Sequence, residues 1–189
     1  MLTRNIRIGL IVLYGLLAVL FLLAGIIKGA GFFIFAALIM IFTYIRYGSI
    51  TAAFRSMKKN NLEKTKNLLN ETLKVDWLSP SYKGYYYWIK AYVETSEQNL
   101  SNAVICYEKA LEHGLRTNND TAIVYFQLAM LAMMGKKYGV AEELLEKSKE
   151  LKPKQLLIEK ISKIESMLHN QKNSDKNLFI EYFNENNII

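Results

Sequence analysis

An all-α fold is what this 189-residue sequence predicts, and three observations carry that reading. Two apolar runs precede Arg55, each suited to a helix. The rest of the chain spaces its apolar residues as a helix with one buried face would. That second part also falls onto itself without a gap when shifted by 38 residues. The expected architecture is a transmembrane helical hairpin (1–47), an α-solenoid of three helical hairpins plus a C-terminal capping helix (48–169), and a polar linker with a short apolar tail (170–189).

Ile8 to Ile27 is an uncharged apolar run, long enough to cross a bilayer as a helix. Lys28-Gly29-Ala30-Gly31 follows, and Phe32 to Ile45 is apolar again. One straight helix through both would be about 57 Å long, against a hydrocarbon core of about 30 Å. Two spans are therefore expected, at about 8–27 and 31–46, with the turn at Lys28 and its glycines. Lys28 and Arg46 can snorkel, and Tyr44 and Tyr47 suit the interface. Gly25 and Gly29 stand at a close-packing spacing, but beside a turn they serve backbone freedom.

A cleaved signal peptide is the competing reading. Its apolar core is usually about 7–15 residues, shorter than this run. A second apolar run follows at once, and no cysteine stands after Leu22 to Gly25 as a lipoprotein would need. A retained hairpin fits better. Arg4 and Arg7 precede the first span, while Arg46, Arg55, Lys58 and Lys59 follow the second. The positive-inside tendency then puts both termini and the repeat domain in the cytoplasm of an integral membrane protein, with a bacterial inner membrane as the expected location. Arg46 to Lys59 has no proline, which allows the second span to run on into the first repeat helix, and Gly48 is the natural bend.

The repeat is clearest from Ile123 to Pro153. Tyr125, Leu128, Ala129 and Ala132 form one helical run, and Tyr138, Ala141, Leu144 and Leu145 the next. Gly135-Lys136-Lys137 between them suits a tight turn, and Pro153 forbids a further helical turn. Small side chains at Ala129 and Ala141 would let the two axes approach. Shifted by 38 residues, Ala141 maps onto Ala103 and Thr65, Leu145 onto Tyr107 and Leu69, and Leu144 onto Cys106 and Leu68. Tyr138 maps onto Leu100 and Leu62, Ala129 onto Ala91 and Ala53, and Phe126 onto Trp88 and Ile50.

These residues resemble the tetratricopeptide repeat (TPR) family. Its pattern is matched by Tyr125, Leu128, Ala129 in the glycine position, Ala141, Leu145 and Pro153; Ala132 replaces the tyrosine and Leu145 the second aromatic. The period exceeds the family's usual length of about 34 residues. The surplus fits longer connectors at Trp77 to Pro80 and at Leu115 to Asn119. Copies are expected at about Tyr82 to Gly114 and Asp120 to Leu151, with Asp120 as a helix N-cap. Leu156, Leu157, Ile161, Ile164 and Leu168 would form the inner face of the cap. Beyond it, Leu178 to Phe183 holds a small apolar cluster, a loose end or a docking peptide for a groove.

The net charge of +7 is spread along the chain rather than gathered on one face, so no nucleic-acid partner is expected. Its basic lean suits an anionic lipid surface. The single cysteine, Cys106, lies at an apolar repeat position and reads as core. Two distant histidines, His113 and His169, make no metal pattern. Gly135-Lys136 lacks the rest of a phosphate loop. Glu143 with Lys147 and Glu146 with Lys149 read as a solvated helix face. The expectation is no enzyme, no cofactor and no metal.

The family resemblance implies a protein-interaction module whose first helices line a groove. Its candidate residues are Ile50, Phe54, Met57, Tyr85, Trp88, Tyr92, Phe126, Met130 and Met133. Aromatic and Met side chains there would suit an apolar helix or peptide, unless the short array fills the groove itself. The expected function is a membrane-anchored scaffold or adaptor holding a protein partner. The alternative is a structural subunit or assembly factor of a larger membrane complex. A pore is disfavoured, since neither run has a polar stripe.

Overall fold

The computed structural model describes residues 4–47, 49–72 and 74–170. Among them there are nine α-helices and no strand. In chain order these are α1 (Arg4–Leu23), α2 (Ile27–Tyr47), α3 (Ile50–Met57), α4 (Leu62–Asn70), α5 (Pro80–Ser96), α6 (Leu100–His113), α7 (Asn118–Met134), α8 (Tyr138–Glu150) and α9 (Gln155–Asn170). A short 3-10 turn, Val75–Trp77, leads into α5. The expected bend at Gly48 and the tail from residue 171 onward lie outside the described residues.

Consecutive helices pack as antiparallel pairs, and three contacts fix the direction. Ser49 Oγ donates to Glu71 Oε2 at 2.8 Å, joining the start of α3 to the end of α4. Ser148 Oγ donates to the Ala122 carbonyl at 2.8 Å, joining the end of α8 to the start of α7. Between α5 and α6 the same place is held by Gly84, where the backbones come so close that a Cβ would lie 2.3 Å from the Gly114 carbonyl oxygen.

The 38-residue period is visible in the backbone. The second helices start at Leu62, Leu100 and Tyr138, each 38 residues after the last. Before each start stands a left-handed residue that is not glycine: Asn60 (φ 53°), Gln98 (φ 63°) and Lys136 (φ 59°). Each turn is closed by the same pair of hydrogen bonds. Asn61, Asn99 and Lys137 donate to the carbonyls of Ser56, Glu94 and Ala132, and Asn60, Gln98 and Lys136 to those of Met57, Thr95 and Met133. These bonds satisfy carbonyls that a helix end leaves open. The expected break at Gly135-Lys136-Lys137 is where the turn falls; within it Gly135 keeps a negative φ of −81° and Lys136 takes the left-handed conformation.

The same device turns α1 into α2. Gly25 (φ 75°) donates to Leu22 and Ile26 to Phe21. This corrects the expected turn at Lys28 to Gly31, which instead lies inside α2. Gly29 serves packing rather than turning: a Cβ there would come 2.3 Å from the Phe21 ring. Lys28, in the first turn of α2, is exposed, so its charge needs no break in the helix.

Burial follows the period too. Ala53, Ala91 and Ala129 on the first helices and Thr65, Ala103 and Ala141 on the second are all fully buried. One core cluster joins α3 to α7 through Ile50, Trp88, Tyr107 and Leu128; another packs α7 and α8 against α9. Asp120 is not the cap of α7: Thr117 is, its Oγ1 accepting from the Asp120 N–H at 3.0 Å. On α9, Leu157, Ile161, Ile164 and Leu168 are buried as expected, but Leu156 points outward and is 67% exposed. Glu143 pairs with Lys147 at 2.6 Å, whereas Lys149 turns from Glu146 to reach Glu165 of α9 at 2.6 Å.

α1 and α2 differ from the rest. Among the described residues almost every large apolar side chain that stands exposed lies in them or in their connection; the others are Trp77, Ile105, Val140 and Leu156. α2 contains one stretch, Ile27–Tyr44, long and apolar enough to cross a membrane; the apolar part of α1, Ile8–Leu23, is shorter.

Replacing a helical glycine by alanine ordinarily stabilises by up to about 1 kcal/mol. Gly84→Ala is expected to do the reverse, because its methyl would meet a backbone carbonyl. The loss should be about 1–3 kcal/mol, read as a lower melting temperature by circular dichroism at the helical band.

Candidate functional site

The first helices of successive pairs meet along a seam, and the seam decides which groove residues are free. Trp88 of α5 donates its Nε1–H to Gln127 Oε1 of α7 at 2.8 Å. Phe54 of α3 packs its ring against Tyr85 and Trp88 of α5, both at 5.0 Å between centroids. Tyr85 in turn donates its hydroxyl to the Asp120 carboxylate of α7. Position 50 of the repeat, occupied by Ile50, Trp88, Phe126 and, in α9, Ile164, is buried in every copy. It is a packing position between neighbours, not a ligand position.

This corrects most of the expected groove. Met57, Trp88, Phe126, Met130 and Met133 are enclosed. Phe126, Met130 and Met133 belong to the core cluster that includes Ile161 and Ile164, so α9 covers the place where the groove would continue. Ile50 is likewise buried, and Tyr85 nearly so. Phe54 and Tyr92 remain half-exposed. What the structure leaves open is a cleft of about 160 Å³ between α3 and α5, lined by Ile50, Thr51, Phe54, Tyr82, Tyr85 and Arg116.

The sequence reading missed Thr51, Tyr82 and Arg116. Arg116 comes from the α6–α7 connector and lies over the Tyr82 ring, 4.4 Å from its centroid. Lys58 sits over a second aromatic of the cleft, Phe54, at 4.5 Å. An Arg in a long connector followed by a capped helix was the available signal, but no spacing rule links it to Tyr82. Chemically the cleft offers aromatic faces, a hydroxyl at Thr51 and cationic groups at two places, a set suited to binding.

Burial, then the hydrogen bond to Asp120, pushes the Tyr85 phenol well above its ordinary range, with nearby Arg116 acting in the opposite direction. Burial raises Tyr107 as well. It also raises the Cys106 thiol, which keeps that side chain protonated and poorly nucleophilic. His113 stacks on Tyr87 with centroids 5.3 Å apart. Among the described residues no group of three His, Cys, Asp or Glu side chains could hold a metal.

In comparisons with known proteins, no family model matches the chain, and no curated protein or solved structure matches it significantly.

Tyr85 predicts a pH dependence. Below about pH 10 its phenol is neutral in folded and unfolded chains alike, and its contribution to stability is intact. Above that, the unfolded phenol ionises while the folded one resists, so stability falls as pH rises. Urea unfolding between about pH 8 and pH 11 should show this fall, and it should be shallower in Tyr85→Phe.

Proposed function

We propose that this protein is a membrane-anchored scaffold: α1 and α2 form a transmembrane hairpin, and α3 to α9 a TPR-like solenoid presenting a binding cleft at the cytoplasmic face. The observation that carries this reading is the recurrence of one turn geometry and one burial pattern at 38-residue steps, the mark of a stacked array. The anchor is supported by the outward apolar faces of α1 and α2: Ile27–Tyr44 is about 27 Å long and Ile8–Leu23 about 24 Å, against a hydrocarbon core of about 30 Å. A soluble monomer would not ordinarily leave so continuous an apolar surface open.

In this reading function is binding plus localisation, with no catalytic step. Thr51, Phe54, Tyr82, Tyr85 and Arg116 supply the contact, and the hairpin confines it to the membrane. α9 has the two faces of an array cap: its inner face is apolar and its outer face carries Glu159, Ser162, Lys163 and Ser166.

A second reading, a structural subunit or assembly factor of a membrane complex, is favoured by one observation. The expected groove is mostly filled by the protein's own side chains, while the flanks of α1 and α2 are open. A photoreactive residue at Thr51 in intact membranes should capture one dominant protein, and one at Ile105, on the outer side of α6, should not. Adducts formed only from probes at Leu16 or Phe35 would replace the scaffold reading with the subunit reading.

A further inference from the structure

The connector between α4 and α5 is built unlike the other two. It contains an exposed tryptophan, Trp77, 46% open, with the Lys74 ammonium 4.9 Å above its ring. An indole that is partly packed and partly open suits a boundary between apolar and wet surroundings. The connector is not loose. Trp77 and Leu78 donate backbone bonds to the Lys74 and Val75 carbonyls, and the Leu78 side chain is buried in the core. Most tellingly, the Ser79 N–H donates to the Arg46 carbonyl at 3.1 Å. That carbonyl is in the last turn of α2, just past the apolar stretch that ends at Tyr44.

The clamp fixes a height. Trp77 is two positions from Ser79, a reach of at most about 7 Å. The headgroup layer on each side of a bilayer is roughly 5–8 Å thick. With the 3.1 Å bond and the two-residue rise from Tyr44 to Arg46 added, the Trp77 backbone lies within about 13 Å of the end of the apolar stretch, about two headgroup layers. A second aromatic and cationic group adjoins the end of α2. The Tyr47 ring packs on Tyr82 at 4.9 Å, and Arg116 covers Tyr82. Cationic groups at Arg46, Lys74, Lys83 and Arg116 surround this end, against Asp76, which Lys83 approaches at 3.7 Å, and Glu71, which Ser49 occupies.

We infer that this edge of the array is a phospholipid-headgroup contact, with the Trp77 indole in the interfacial layer and Lys74 on a lipid phosphate. Tryptophan favours that layer because its body is apolar and its N–H is polar, and basic side chains there are attracted to anionic lipids. The contact adds to the span itself a second hold on the membrane, at the connector clamped to the end of α2, and so fixes the tilt of the array. The inference rests on reading α2 as a membrane span, and the test separates the two.

The full-length chain is reconstituted in phosphatidylcholine–phosphatidylglycerol vesicles whose acyl chains carry bromine either near the carbonyls or near the methyl ends. Its two tryptophans serve as probes, and Trp88, 1% exposed inside the core, is the internal reference. Shallow bromine should quench the wild type and leave Trp77→Phe unaffected. In a Trp77→Phe background, Phe35→Trp reports on the span and should be quenched by deep bromine. Quenching of the Phe35→Trp probe, with Trp77 instead quenched by aqueous iodide, would overturn the headgroup contact and leave the span intact. Trp77 shielded from both lipid and iodide would mean a protein covers it, which also overturns the contact. Failure of deep bromine to quench the Phe35→Trp probe would remove the span and the inference together.

Discussion

Everything in the array depends on how closely two helices of a pair can lie. Ala91 against Ala103 and Ala129 against Ala141 put the smallest side chains at matched positions, and each is fully buried. Thr65, opposite Ala53, is the one polar member, and it stays dry by donating its hydroxyl to the Asn61 carbonyl at 2.7 Å. With the axes close, long side chains are forced outward from the pair. They then fill the space between pairs, where Ile50, Trp88, Phe126 and Ile164 are found. Close pairing therefore generates the stacking. The turns follow as well: a short connector between near axes requires one residue at positive φ, and the two hydrogen bonds of each turn offset the strain of placing Asn, Gln or Lys there.

Much of the helical order was legible. Apolar periodicity and the 38-residue shift located the second helices, their small-residue positions and the inner face of α9, because these depend on patterns within one helix. The groove was not legible, for a physical reason. α7 is buried on nearly every side, from Ala122 and Val124 through Met130 and Met133, being enclosed by its partner α8 and by helices of both neighbours. A helix apolar all round has no phase to read, so the side given to the groove was a guess about tertiary neighbours. The hairpin turn failed differently. Lys28 and three nearby glycines looked like a break, yet the hydrogen-bonded turn needed only Gly25. Arg116 and Asp120 could not be linked to Tyr82 and Tyr85 by spacing, since those contacts join different pairs.

The seam also explains why the open cleft lies between α3 and α5 rather than farther along. α3 is only eight residues long, whereas α5 and α7 have 17 each. By the period, the first helix of the first unit would begin at Phe42, inside α2. The chain is thus shared between two helices at this end: α2 supplies the Tyr47 ring and the Arg46 carbonyl, and α3 supplies Ile50 and Phe54. The apolar pair and the array are joined through a common element rather than by a tether.

Stacked helical units have a hazard that closed folds lack, because each unit offers its successor the surface it received. Left uncovered, such ends invite one copy to add to the next, and a contact of that head-to-tail kind grows into fibres when its rotation does not close. Here the two ends are chemically unlike. One is taken up by α2, whose last turns belong to the first unit; the other is α9, half a unit whose outward side carries carboxylate, hydroxyl and ammonium groups. The outward side of α9 therefore offers an incoming copy charge and hydroxyls rather than the apolar face that a repeat passes to its successor.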